Sequence, residues 1–270
     1  MKQIVISNLR TRYGPWALVA GASEGLGAEF ATQLAVNGFH LVLIARRKEV
    51  LEALATKLAQ EHAIEVRTLE LDLSRDDIDS IITEQTGDLD IGLLIYNAAT
   101  SLVGPFFKQA LQDHLNEVAV NCRSSLTLTY LFGQRMLTRG HGGIVLMSSL
   151  SSTQGSALVS NYAATKAYNR ILAEGLWEEL RTQGVDVLAC SPGPVSTPGY
   201  QASLPASSQR SARMALSTST VVAETLAKLG HGPSVIPGRQ YRLANFVMQR
   251  FLPNTFLIKL MGRVMRNMYD

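Results

Sequence analysis

From residue 16 to residue 190 the chain alternates short apolar runs with longer stretches of helical spacing, with few breaks. The apolar runs WALVA (16–20), HLVLIA (40–45), VRTLELDL from about Val66, IGLLIYNAA from Ile91, GGIVLMSS and VDVLACSPG each have strand length. Between them, residues 25–37, 48–61, 113–137 and 161–181 carry helix-like spacing, and Gly38 stands where a helix-terminating glycine belongs. A strand, a crossover helix and a further strand in one sheet form a right-handed unit. Repetition of that unit predicts an α/β fold, a doubly wound parallel sheet with helices on both faces.

Composition agrees with a sheet buried on both sides. Of 270 residues, 46% are hydrophobic and only 17% charged, below the usual quarter. That deficit also suits surface hidden in a homo-oligomer, a dimer or tetramer. The whole length reads as one domain, since no linker, repeat or low-complexity tract interrupts it. The net charge of +3 is too small to argue for nucleic acid as a partner. Two cysteines, Cys122 and Cys190, build neither a disulfide scaffold nor a zinc site, and the N-terminal segment lacks the apolar core of a signal peptide. A cytoplasmic location is the expectation. The five histidines form no metal-ligand spacing, so no metal site is expected.

The first strand ends in Gly21-Ala22-Ser23-Glu24-Gly25-Leu26-Gly27, which also opens the first long helix. Glycines there permit a tight turn and a close backbone approach, and the helix terminus presents N–H groups to a pyrophosphate. The pattern marks a Rossmann-type dinucleotide site; the alternative is a glycine-rich turn without a ligand. At the end of the second strand, where an acid would accept the ribose 2′-hydroxyl of NAD(H), the chain has Ala45 followed by Arg46-Arg47-Lys48. An arginine fork matches a 2′-phosphate, which favours NADP(H) over NAD(H). Against this stand a solvated helix start as the plainer reading of the arginines, and Glu24, a carboxylate close to the same phosphate.

Tyr162 and Lys166 lie four residues apart, one turn along a helix face. A neighbouring ammonium favours the phenolate and lowers its pKa, so the pair can pass a proton to or from a carbonyl oxygen. Such spacing is common by chance. Its context is Ser149, at the C-terminal end of the fifth strand, where ligands of such sheets bind; Ser148 is the neighbour from which it must be told apart.

With these residues assembled, the chain resembles the short-chain dehydrogenase/reductase family over nearly its whole length. The resemblance is carried by Gly21, Gly25 and Gly27, then Asp72-Leu73, Asn97-Ala98-Ala99, Asn121, Ser149, Tyr162-x-x-x-Lys166, and Pro192-Gly193 through Val195 to Thr197. It implies Asp72 and Leu73 beside adenine, and Pro192, Gly193, Val195 and Thr197 on the nicotinamide side. It also implies Ser149 orienting substrate, Tyr162 as general acid/base, Lys166 assisting it and holding the ribose, and Asn121 anchoring a relay water. The chain departs from the family in Ala99, where glycine is usual. It departs again after a short last strand at Val235-Ile236, where an apolar, Met-rich tail carries six Lys/Arg and no acid between Arg239 and Arg266.

The activity so implied is NADP(H)-dependent hydride transfer between nicotinamide and a carbonyl or secondary alcohol. Its substrate would be a small molecule, and the apolar tail suits a hydrophobic one. A cofactor-binding sensor without turnover is the second reading, which the intact Ser149, Tyr162, Lys166 and Asn121 set weighs against. An NAD-using epimerase or dehydratase is disfavoured by the arginines and by the short C-terminal region. Residues 196–220, rich in Ser, Ala and Pro, read as a substrate loop. The tail (residues 239–270) reads as a cap over the cleft or a subunit contact, ahead of a peripheral helix on anionic lipid.

Overall fold

Strands buried on both faces have no polar side to show, so their sequences are mostly apolar. A computed structural model, describing residues 8–203 and 214–269, has β1 (Trp16–Ala20), β2 (His40–Ala45), β3 (Val66–Glu70), β4 (Ile91–Tyr96), β5 (Gly142–Met147), β6 (Val185–Cys190) and β7 (Ser234–Val235). They form one parallel seven-stranded sheet in the order β3-β2-β1-β4-β5-β6-β7. Successive residues serve opposite faces: Val19, Leu43 and Ile95 join one core cluster, Leu18, Ile44 and Leu94 the other.

The first cluster is covered by α2 (Gly25–Val36), α3 (Lys48–His62) and α9 (Thr218–Lys228), through Phe30, Leu34, Leu58 and Leu226. The second is covered by α4 (Ile78–Thr86), α6 (Ser124–Arg139) and α7 (Ser160–Leu180), through Ile82, Phe132 and Leu180. Edge strand β3 is only partly buried, and its Arg67 pairs with Asp88, which keeps this sheet edge polar. A short helix α1 (Leu9–Tyr13) precedes the sheet.

The stretch expected as one helix over 113–137 is longer and interrupted. α5 (Leu111–Val118) passes through a π-helical turn, Ala119–Arg123, into α6. The extra residue of such a turn shifts helical phase without breaking the helix, and it falls at Asn121. The 196–220 segment contains a short helix, α8 (Pro198–Ser203), and the start of α9. Its residues 204–213 lie outside the described ones. The tail forms α10 (Arg239–Phe251) and α11 (Asn254–Tyr269).

Because β1 lies between β2 and β4, the chain winds outward to one side and then crosses to the other. The crevice left at the C-terminal ends of β1 and β4 is where such folds bind ligands.

Candidate active site

A cleft of about 520 Å³ opens at that switch point. It is lined by Gly21, Ser23, Glu24, Gly25 and Leu26 of the first turn, by Arg46 and Arg47, by Asp72 and Leu73, by Asn97, Ala98 and Ala99, and by Thr197. Gly21 and Gly25 take left-handed conformations, with φ of 80° and 58°. Beneath the turn, Gly27 packs so tightly on the Gly21 carbonyl that a Cβ has no room. The Asn97 side chain donates to the same carbonyl oxygen (2.9 Å), tying the turn to the end of β4. The 12-residue α2 has no side-chain cap at its N-terminus and no acid in its first turn. Its leading N–H groups and positive dipole end face the cleft, so these residues fit a dinucleotide pyrophosphate.

At the far end of the cleft Arg47 pairs with Glu24 (2.9 Å) and donates to the Ser23 hydroxyl at 3.0 Å. The carboxylate is thus partnered by one of the two arginines. Arg46 is exposed and close enough to Asp72 to help hold its carboxyl below the usual range. Burial opposes that lowering, and bonds from Ser74 support it.

At the C-terminal end of β5 the two serines separate. Ser148 is buried and donates its hydroxyl to the Lys166 carbonyl oxygen (2.7 Å), a structural bond. Ser149 instead caps a 3₁₀ turn, Leu150–Thr153, accepting from the Ser151 N–H (3.2 Å) and the Ser151 hydroxyl (2.9 Å). Both bonds use its oxygen as acceptor, which leaves the Ser149 proton to give. The Ser149 hydroxyl also acts on the Tyr162 phenol, favouring its ionised form. Ser149, Tyr162 and Lys166 therefore converge.

Lys166 is 3% exposed, and burial pulls its ammonium down to about 8. Its Nζ donates to the Met147 carbonyl oxygen (2.9 Å) and lies 5.7 Å from the Tyr162 ring centre. The phenol does not show the lowering expected from its lysine: burial pushes it up to about 12, with Glu117 and Tyr269 adding to the rise. The cation donates to the Met147 carbonyl, and burial is the largest influence on the phenol.

The Asn121 side chain is fully buried. Its Oδ1 accepts from the Thr100 N–H (2.9 Å), and its Nδ2 donates to the Thr100 carbonyl and to the Thr165 hydroxyl, each at 2.9 Å. Cys122 beside it has a thiol raised by burial to about 11, which makes it a poor nucleophile. Pro192, Gly193 and Val195 lie outside the cleft lining. The Pro192 carbonyl accepts from the Leu150 N–H (3.0 Å), and Val195 bridges to Leu216. Thr197 reaches back over Gly25. Among the described residues no group of three or more His, Cys, Asp or Glu could hold a metal. None of their helices is long and apolar enough to cross a membrane.

The reading of the sequence missed several residues around the site. The Tyr241 ring of α10 packs on Gly193, and its hydroxyl donates to the Met214 carbonyl (2.7 Å). Gln249 donates to Gln154 (3.1 Å), Gly262 adjoins Ala157, and Tyr269 lies close enough to Tyr162 and Tyr200 to affect both. The tail helices thus lie on the active-site side of the sheet. Glu117 and Asn161 were missed as well. None had a signal in the sequence, because each depends on packing between distant segments.

A parallel sheet of this order, a glycine cradle at its switch point and a Ser-Tyr-Lys group beside it define a nicotinamide-dependent oxidoreductase architecture. The family model for short chain dehydrogenase matches residues 15–207, and the chain belongs to that family. A 7beta-hydroxysteroid dehydrogenase of Clostridium sardiniense is 32% identical over 235 residues, 87% of this chain and 90% of that protein. A very-long-chain 3-oxoacyl-CoA reductase of Pyricularia oryzae is 35% identical over 179 residues, 64% of this chain and 54% of that protein. A solved structure from work on 7beta-hydroxysteroid dehydrogenase stereoselectivity superposes with a TM-score of 0.89 at 26% identity, covering 94% of this chain and 98% of its own. A short-chain dehydrogenase from Sphingobium yanoikuyae in complex with NADPH gives 0.74 at 27% identity, covering 87% and 94%.

Proposed function

We propose that this oxidoreductase uses NADP(H) to interconvert a bulky, apolar ketone and its secondary alcohol, with Tyr162 as general acid/base. The observation that carries the reading is the convergence of Ser149, Tyr162 and Lys166 beside the dinucleotide cleft. A bound nicotinamide supplies or removes the hydride.

The chain's own residues do the rest. The glycine turn and the uncapped start of α2 hold the pyrophosphate, and Arg46 and Arg47 take the 2′-phosphate. Ser149, whose proton is not taken by Ser151, holds the substrate oxygen. Tyr162 gives that oxygen a proton in reduction and takes it in the reverse direction. A lysine ammonium has three N–H groups, of which the Met147 carbonyl uses one. The other two serve the cofactor ribose and a relay water, for which the second lone pair of the Asn121 carbonyl is the anchor. Residues 196–220 act as a substrate loop, and α10 and α11 cap the cleft with apolar side chains. The names of the relatives, with their steroid and acyl substrates, support a large apolar substrate.

The test follows NADPH oxidation, with NADH in parallel, against steroid ketones, 3-oxoacyl thioesters and small aromatic ketones. Turnover with NADPH that is lost in Tyr162→Phe while NADPH still binds is the expected result. Tight NADPH binding without turnover by the wild type would favour a sensor, and failure to bind either cofactor would overturn the reading.

A further inference from the structure

Beside the site runs a segment that has no strand neighbour among the described residues and is nonetheless held like a strand. Alternate N–H groups of an extended chain point the same way. Those of Thr100, Leu102 and Gly104 are accepted in turn by Asn121 Oδ1 (2.9 Å), Glu117 Oε1 (3.0 Å) and the Leu158 carbonyl (2.8 Å). Leu158 takes a left-handed conformation (φ 65°) where it makes that bond, one that a branched side chain disfavours. Glu117 and Asn121 lie one turn apart, on α5 and the π turn, so a single helix supplies two of the three acceptors.

Glu117 does more than hold this segment. It is 1% exposed, and its second oxygen, Oε2, accepts from the Asn161 side-chain amide at 2.6 Å. Asn161 immediately precedes Tyr162, and its amide also donates to the His114 carbonyl (3.2 Å). We propose that Glu117 is a positioning residue for the reaction, whose two oxygens fasten the segment 100–104, which leaves the cleft at Thr100, and the turn carrying Tyr162 to each other.

Only a carboxylate meets both demands. Two N–H donors converge on its two oxygens, and a glutamine would turn an NH₂ towards one of them. Asn161 cannot relieve this by flipping, because its oxygen would then face the His114 carbonyl. The groups that act electrostatically with Glu117 are His114 on its own helix, Cys122 on the π turn, and Tyr162 and Lys166 on α7. Burial raises the carboxyl, and the bonds from Leu102 and Asn161 oppose that rise. Its charge disfavours the Tyr162 phenolate.

The proposal rests on Tyr162 being the acid/base, so the experiment separates the two. Steroid-ketone reduction is followed across pH in the wild type, Glu117→Gln, Asn161→Ala and the double variant, with NADPH affinity measured by fluorescence. Both single variants should lose roughly 10- to 100-fold in kcat, the loss typical of a misplaced reacting group, with NADPH affinity held within about twofold. The double variant should be no worse than the weaker single, because both remove one tie. Glu117→Gln alone should move the alkaline limb of the reduction profile to lower pH, since a charge opposing the phenolate is gone.

Wild-type turnover in both single variants overturns the proposal and leaves the reductase reading standing. So does a loss of activity that tracks lower melting temperature and weaker NADPH binding, with no displaced limb. If Glu117→Gln does not fold, Asn161→Ala decides, since it removes the tie and keeps the carboxylate. A wild-type chain that binds NADPH but reduces nothing overturns the reductase reading, and this proposal with it.

Discussion

In Gly27→Ala the added methyl meets backbone rather than a side chain that can swing away. Its carbon would stand 2.8 Å from the Gly21 carbonyl carbon and from Asn97 Nδ2, closer still to the Gly21 oxygen, whereas ordinary contact begins at 3.4 Å. The first turn of α2 must therefore retreat from the end of β1 by at least about 0.6 Å, because packed interiors do not absorb such overlap. Overpacking of this kind costs about 1–3 kcal/mol, a fall in melting temperature of a few degrees at this chain length. The same retreat stretches the charged hydrogen bonds that the cradle offers a pyrophosphate, each worth about 1.5–3 kcal/mol. Loss of two implies NADPH affinity weaker by roughly 100-fold or more. Titration of NADPH fluorescence beside a thermal melt measures both. Gly175→Ala in α7 is the control: nothing lies within 4 Å of its new carbon, and it should stabilise by about 0.5–1 kcal/mol with no change in binding. Gly27→Ala binding NADPH within about threefold of wild type would refute the cradle argument.

Other outcomes follow from the same geometry. Arg46→Ala/Arg47→Ala should reduce the preference for NADPH over NADH by roughly 10- to 100-fold, while Glu24→Gln, which frees Arg47 from its 2.9 Å partner, should tighten NADPH severalfold; affinities for both cofactors decide. Lys166→Met should abolish turnover yet melt higher at pH 7. The buried ammonium titrates at about 8 against 10.5 when exposed. Between those values the unfolded chain holds a proton that the folded chain has released, so wild-type stability climbs with pH. The advantage of Lys166→Met, up to roughly 3 kcal/mol, should shrink over that interval, and a variant melting lower than wild type at pH 7 would contradict it. On α5, Leu111 and Leu115 are 73% and 51% exposed, and if they serve a subunit contact, Leu111→Glu/Leu115→Glu should shift the chain to a smaller species in sedimentation with little change in melting temperature.

The sheet was legible in the sequence because burial on both faces leaves the inner strands few polar residues, so His40–Ala45, apolar after its first residue, could be read to its ends. α4 was not, because six of its nine residues are polar and it is too short to display a clear period. The π turn at Asn121 was equally hidden, since one extra residue in a long helix barely alters its spacing. The glycine cradle and the Ser149, Tyr162 and Lys166 group lie at fixed places on the topology, and local motifs marked them. Glu117, Asn161, Tyr241 and Tyr269 owe their places to contacts between segments 27 or more residues apart, for which no local pattern exists.

The alternating ties at Thr100, Leu102 and Gly104 have a consequence for how the cleft breathes. Amides in a connecting segment ordinarily trade their hydrogens with water within seconds, but these three are sequestered by two side chains and a carbonyl. In deuterium exchange they should behave as a strand interior, protected far longer than Ser101 and Val103 between them. A segment held in this way keeps one shape where it leaves the cleft at Thr100.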